Sequence, residues 1–219
     1  DLLRQREAGT VPRFERVVIE TTGLADPAPI LHAVMTDAEL AGHFVLAGVV
    51  TTVDAVNGGA TLDAHAVASK QAAVADRLVL TKRDLVATEP EALIAHLRRL
   101  NPAAPLVVAV QGAIDPSLVL DCGLYDPTGK ALDVARWLAA EAHGHGHGAH
   151  DHDQEITSFA VTRERPVRAV ALALFLEALA EHAGAGLLRM KGVVNIAESP
   201  DRPAVIHGVQ HVFHPPTWL

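Results

Sequence analysis

A lone cysteine, Cys122, leaves this 219-residue chain without an intramolecular disulfide framework and suits a reducing compartment. Lys and Arg form no block, and the formal net charge of −8 argues against a general polyanion-binding surface, so no nucleic-acid partner is expected. No apolar run approaches the length of a membrane span and no secretory signal opens the chain. A soluble cytoplasmic protein without membrane contact is the expectation. There is no initiator Met either. The chain begins at Asp1 inside what reads as the end of a helix, DLLRQREAG, like a sequence entered midway. A Gly-rich phosphate loop is also missing from the 219 residues.

What is present is ample for a globular core. Hydrophobic residues make up 49% of the chain, and mean hydropathy is +0.21. RVVIE (16–20), HFVLAGVVTTVDA (43–55), DRLVLTK (76–82) and PLVVAV (105–110) are continuous apolar runs. Such runs predict strands covered on both faces. Between them, APILHAVMTDAEL, LDAHAVASKQAAV and EPEALIAHLRRL read as helices. Thr88 with Glu91 three residues on forms an N-terminal capping box, and NPAAP (101–105) stops the last helix. This alternation predicts an α/β fold with a mostly parallel, doubly wound sheet. A helical stretch ending KALDVARWLAAEA follows, and then the low-complexity HGHGHGAHDHDQ (143–154). Beyond it the pattern changes. EITSFAVTRE alternates like a half-exposed strand, and PVRAVALALFLEALAEHA is an amphipathic helix opened by Pro166. LLRMKGVVNIAE, PAVIHGVQ and HVFHPP read as an antiparallel meander. Three units result: residues 1–142, a His-rich linker at 143–154, and a small α+β domain at 155–219.

Two short motifs carry chemistry. Glu20 ends a run that reads as a buried strand, the position where ligands bind in open α/β sheets. A carboxylate there can hold magnesium or position an attacking water. Gly23 lets a backbone N–H approach a terminal phosphate unobstructed. The plainer alternative is a strand-to-loop transition turning at Asp26–Pro27. In TKRD (81–84), Asp84 can accept two hydrogen bonds from the ring N–H and exocyclic amine of guanine. Adenine offers no such donor pair, and an unpaired buried carboxylate is costly. Lys82 can lay its stem along the base plane. An ordinary charged βα-loop is the alternative here.

Both motifs in this order, with TTVDAVN, KQAAVADRLVLTKRDL, LNPAAP, GAIDPSLVLDCGLYD, LLRMKGVVNIAE and the terminal Trp218, resemble the CobW-like GTPases, P-loop metallochaperones of the cobalamin-synthesis-protein family. The resemblance spans nearly the whole chain. It implies a P-loop-type sheet, here incomplete, followed by a small CobW C-terminal domain. Glu20 and Gly23 match the family's ExxG element at magnesium and the γ-phosphate. Thr81, Lys82 and Asp84 match its guanine-specificity element, in which Asn is usual where Thr81 stands. Gln111–Gly112 falls where such GTPases often present backbone to the base. GTP, Mg2+, a transition metal (zinc, cobalt or nickel) and a client metalloprotein are the implied cofactors and partners, and homo-oligomerisation is left open. Two family features are missing: the N-terminal strand with its GxxGxGKT phosphate loop, and the metal-binding Cys-x-Cys-Cys. The expectation is a fragment of a longer GTPase, inactive alone, with Val17, Val18 and Ile19 facing an unfilled slot.

Thirteen histidines are the compositional outlier. His143, His145, His147, His150 and His152, with Asp151 and Asp153, sit on a Gly-spaced tether. Imidazole suits zinc, nickel, cobalt and copper, and a flexible tether predicts an exchangeable metal site. His32, His43, His65 and His96 read as surface or satisfied histidines. His207 and His211 could approach each other across a terminal hairpin. Arg189 and Lys191 read first as a solvated strand edge, with a basic contact to a partner or to the first unit as the alternative. The leading expectation is the metal-delivering GTPase. The alternative is a metal-buffering or client-binding module without nucleotide activity, and a metabolic enzyme on the same sheet lacks a nucleophile–base pair.

Overall fold

The computed structural model describes residues 1–23, 25–120 and 156–219. Strands β1 (Val50–Asp54), β2 (Arg77–Thr81) and β3 (Leu106–Ala109) form a parallel sheet in the order β1-β2-β3. A short N-terminal helix, α1 (Leu2–Glu7), lies outside this sheet. β2 is central and buried from Arg77 to Leu80, which is why its apolar run shows no alternation. Helices α4 (Gly58–Ala64) and α5 (Ala66–Val74) connect β1 to β2, and α6 (Glu91–Leu100) connects β2 to β3. Their apolar faces close the main core, in which Leu78, Leu80 and Leu97 are almost fully buried beside Val53, Leu62 and Leu93. Gly58 opens α4 at a close approach: a Cβ there would lie 2.8 Å from Val53 Cγ1.

Buried Asn101 closes α5 from outside it. Its Nδ2 donates to the carbonyls of Ala72 (2.9 Å), Ala73 (3.1 Å) and Ala75 (2.8 Å), and its Oδ1 accepts from Ala104 N. One amide thereby satisfies carbonyls that the helix end leaves open.

Several boundaries differ from the expected ones. Residues 16–20 lie in no helix or strand, and Val17, Val18 and Ile19 are exposed. Strand formation needs a paired neighbour, and the free edge of β1 has no described strand beside it. The run 43–55 is a strand only from Val50. The first predicted helix is two, α2 (Pro27–Thr36) and α3 (Ala38–His43), because Asp37 turns extended and accepts from Leu40 N at 2.9 Å. The second is likewise split, at His65. α6 starts after Pro90, so Thr88 caps nothing. Residues 156–164 form no strand, leaving Phe159 and Val161 exposed. The stretch KALDVARWLAAEA and Cys122 lie outside the described residues. A five-residue helix, α7 (Pro116–Leu120), ends the described part of the first unit.

In the second unit, α8 (Ala169–Ala183) packs Leu172 and Leu176 on an antiparallel sheet. The sheet comprises β4 (Met190–Ile196), β5 (Ser199–Val209), β6 (Val212–Phe213) and β7 (Thr217–Trp218), with β4, β6 and β7 each paired antiparallel to β5. α8 starts three residues after Pro166, its first N–H (Ala169) held by Glu198 Oε2 at 2.9 Å. Among the described residues no helix is long and apolar enough to cross a membrane.

The two units meet along a seam with two parts. One is apolar: Ala28, Leu31 and Met35 of α2 pack on Val209 with Leu46, Val49 and Val212. The other is ionic. The Asp76 side chain, 1% exposed, meets Arg189 Nη2 at 2.6 Å and Lys191 Nζ, and accepts from Val49 N at 2.7 Å. Arg189 Nη1 also donates to Val74 O at 2.9 Å. Arg189 and Lys191 are therefore seam residues and not a solvated edge. Both are drawn out of water by a carboxylate that the sequence shows only as the acidic start of a strand.

Candidate functional site

The parallel register sets Asp54, Thr81 and Ala109 in one row at the carboxyl ends of β1, β2 and β3. This row and the loops leaving it carry four of the six predicted nucleotide-site residues, Thr81, Lys82, Asp84 and Gln111. Thr81 Oγ1 donates to Val53 O at 3.2 Å, and Ala55 N donates to Thr81 O at 2.9 Å. The hydroxyl thus makes a bridge to the neighbouring strand in the place where the family usually carries an amide. Lys82 adopts a left-handed backbone with φ 56°, which swings its side chain back over β1. Its Nζ meets Asp54 Oδ2 at 2.7 Å.

Asp54 is the best-satisfied carboxylate of this edge. Val56 N and Asn57 N donate to Oδ1 at 2.8 and 3.3 Å, and Asn57 Nδ2 donates to Oδ2 at 3.3 Å. The Lys82 ammonium, helped by these donors and opposed by partial burial, holds the Asp54 pKa at about 2. Sequence reasoning passed over Asp54; its place at the end of the apolar run TTVD was the available signal.

Asp84 lies on a single 3-10 turn, Arg83–Leu85, exposed. No described hydrogen bond or ion pair engages its carboxylate, which leaves both oxygens open to a ligand. Arg83 fixes the turn, with Nε and Nη2 on Glu89 Oε2 at 3.1 and 2.8 Å and Nη1 on Val86 O at 3.0 Å. Beyond β3, Gln111 (φ 51°) and Gly112 (φ 78°) form the centre of a tight turn closed by Ala113 N to Val110 O at 2.8 Å. Two consecutive positive φ values match a type I′ turn, for which Gly at the second position is the natural choice.

Glu20 and Gly23 do not join this group. Glu20 is exposed in the irregular 16–20 segment and does not end a buried strand, because that strand does not form. The loop after it docks on α5 instead. Gln71 Nε2 donates to Gly23 O at 3.2 Å and to Ala25 O at 2.8 Å, and Lys70 Nζ pairs with Asp26 Oδ2 at 3.4 Å. Asp26 Oδ1 accepts from Ala28 N at 3.0 Å and caps α2, with Pro27 at its first position. The ExxG loop is thus tied to α5 behind and to α2 ahead.

The metal candidates His143, His145, His147, His150, His152, Asp151 and Asp153 lie outside the described residues. Among the described residues no group of three or more His, Cys, Asp or Glu is placed to hold a metal ion. At the C-terminus, His207 faces His214, whose N donates to His207 O at 2.9 Å, and does not face His211. Burial, then Lys191, Arg189 and His214, push His207 down to about 4. An imidazole so placed beside two cations is a poor metal ligand.

Residues 1–108 match the CobW/HypB/UreG nucleotide-binding domain, and residues 156–219 match the cobalamin synthesis protein cobW C-terminal domain. The chain belongs to the CobW family. The first match contains Glu20, Gly23 and Thr81–Asp84 and ends before Gln111. Within the family, the chain is similar to the zinc chaperone YjiA of Escherichia coli, 33% identical over 213 residues. The alignment covers 97% of this chain and 64% of that protein, so the chain spans under two thirds of this CobW relative's length. The zinc-regulated GTPase metalloprotein activator 1 of Schizosaccharomyces pombe is 33% identical over 116 residues, covering 52% of this chain and 28% of its own. The crystal structure of Zn(II)-bound YjiA GTPase from E. coli superposes with a TM-score of 0.69 at 26% identity. That superposition covers 100% of this chain and 65% of the other.

Proposed function

We propose that these residues are the base-recognition and C-terminal portion of a CobW metallochaperone that binds and hydrolyses GTP and delivers a transition metal to a client protein or cofactor pathway. The observation that carries this reading is the row at the sheet's carboxyl edge. There Asp84 is open, Lys82 is held by Asp54, Thr81 bridges two strands, and the Gln111–Gly112 turn stands beside them. Guanine would offer its ring N–H and exocyclic amine to Asp84 and lie along the Lys82 stem. Zinc is the favoured metal, because the E. coli relative is a zinc chaperone and was crystallised with Zn(II). Cobalt and nickel suit the same imidazole-rich linker.

The described residues do not make a magnesium–phosphate site. Glu20 is solvent-exposed, and the 219 residues contain no GxxGxGKT loop. What this chain supplies to a nucleotide cycle is a mechanical link. The ExxG loop runs directly into α2, and α2 buries Ala28, Leu31 and Met35 against the C-terminal unit. Reordering of the loop would thereby reach the surface that the second unit presents to a client.

Asp84→Asn in the whole protein tests the base-recognition reading. Asn presents a donor where Asp accepts, so the variant should prefer xanthosine triphosphate over GTP in a competition binding assay. Unchanged GTP discrimination would remove Asp84 from base recognition and leave the chain a metal-handling module.

A further inference from the structure

Three described histidines outside the linker are engaged or unsuited to a metal. His96 Nδ1 lies 3.8 Å from Asp63, His182 Nδ1 bonds the Ala178 carbonyl, and His207 is crowded by Arg189 and Lys191. His32 and His211 differ. Their ring centroids are 5.2 Å apart with planes inclined at 49°, and neither ring is engaged by a described hydrogen bond or ion pair. One lies on α2 of the first unit and the other at the β5–β6 turn of the second. Beneath them Leu31, Met35, Val209 and Val212 pack together, so the two backbones are held on either side of the seam.

The spacing is informative. With zinc–nitrogen bonds of about 2.0–2.1 Å, and a ring nitrogen about 1.1 Å from its centroid, each centroid lies about 3.2 Å from the metal. At a tetrahedral angle the two centroids would then stand about 5.2 Å apart. A cis square-planar pair would bring them to about 4.5 Å, and a linear pair would spread them to about 6.4 Å. The observed 5.2 Å equals the tetrahedral value, a spacing that rings in simple contact also adopt, so ligand substitution decides between them.

We propose that His32 and His211 form a two-histidine site for a tetrahedral divalent transition ion, zinc or cobalt, clamped across the seam between the two units. With no third protein ligand among the described residues, two coordination positions stay open to solvent or to an incoming ligand. Such a site exchanges its metal readily, unlike a closed four-ligand structural centre. It stands on the geometry of two rings and needs no nucleotide, so its failure and that of the GTPase reading are separable.

The test uses the full chain with His143, His145, His147, His150 and His152 replaced by alanine, so that the linker no longer competes. Zinc titrated against a chromophoric chelator should still bind at one equivalent per chain and raise the thermal midpoint, since a metal held on both sides of the seam favours the folded state. His32→Gln and His211→Gln should each weaken this binding about tenfold or more, the least that loss of a direct ligand should cost when outer-shell changes already cost about 10–100-fold. Each should also abolish the thermal shift. His96→Gln should change neither readout. Both variants sit at the surface of the seam, and matching zinc-free midpoints would establish that they fold. Absence of zinc uptake in the linker-substituted chain, or uptake unchanged by His211→Gln, would overturn the site.

Discussion

Replacing Asp76 by Asn probes the seam with little change of shape. The Asn oxygen can still accept from Val49 N, so the backbone contact survives. What is lost is the charge facing Arg189 and Lys191, whose side chains are only 11% and 19% exposed. Two cations would then stand together, largely out of water, without a counter-ion. Breaking a buried pair from one side costs about 3–5 kcal/mol, because the remaining charge stays desolvated. For a chain of this size that corresponds to a fall in melting temperature of about 6–20 °C, at about 2–4 °C per kcal/mol. Urea unfolding followed by far-UV circular dichroism reads the change directly. Adding Arg189→Met and Lys191→Met to Asp76→Asn should recover most of the loss, since an apolar replacement of a whole buried ion cluster is often neutral. A loss for Asp76→Asn below about 1 kcal/mol, the value of a solvent-exposed pair, would refute the argument.

Acid should weaken the fold through His207. Its folded pKa of about 4 lies below the ordinary 6.5, so its contribution is complete above pH 6.5 and is lost as pH falls toward 4. The change amounts to up to about 3 kcal/mol, and His207→Gln should flatten that part of a stability–pH curve relative to the unsubstituted chain. Asn101→Ala should cost about 2–3 kcal/mol by stranding the carbonyls of Ala72 and Ala75, as read by urea unfolding. A loss near zero would mean that water replaces the amide. Deleting residues 143–152 should lower zinc stoichiometry in a calorimetric titration without moving the unfolding midpoint, and an unchanged titration would return that segment to plain linker.

How far the sequence could be read depended on whether local pattern or a distant partner decides each element. β2 was legible because a strand covered on both faces carries a continuous apolar run, here Leu78–Leu80, and β3 because LVVA is a short, Val-rich run. RVVIE has the same composition, yet strand formation also needs a neighbour, which composition does not report. The split at Asp37 was missed because an acidic residue in a helical pattern reads as a solvent-facing position, whereas here its carboxylate caps the next helix. Thr81, Lys82, Asp84 and Gln111 stand out in the sequence because each follows an apolar run that reads as a strand. Gln71 and Asp76 reach residues 46–48 and 113 positions away, and nothing local marks them.

The Asn101 amide has a reach beyond its own contacts. It grips Ala72, Ala73 and Ala75, and the residue after Ala75 is Asp76, the carboxylate on which the second unit hangs. None of its hydrogen-bond partners lies in that unit. The place where the C-terminal unit attaches is nonetheless surveyed from the end of α6, as a hinge plate takes its position from a screw on the far side of the door frame. Slackening that screw would let the seam wander before any residue of the seam itself had changed.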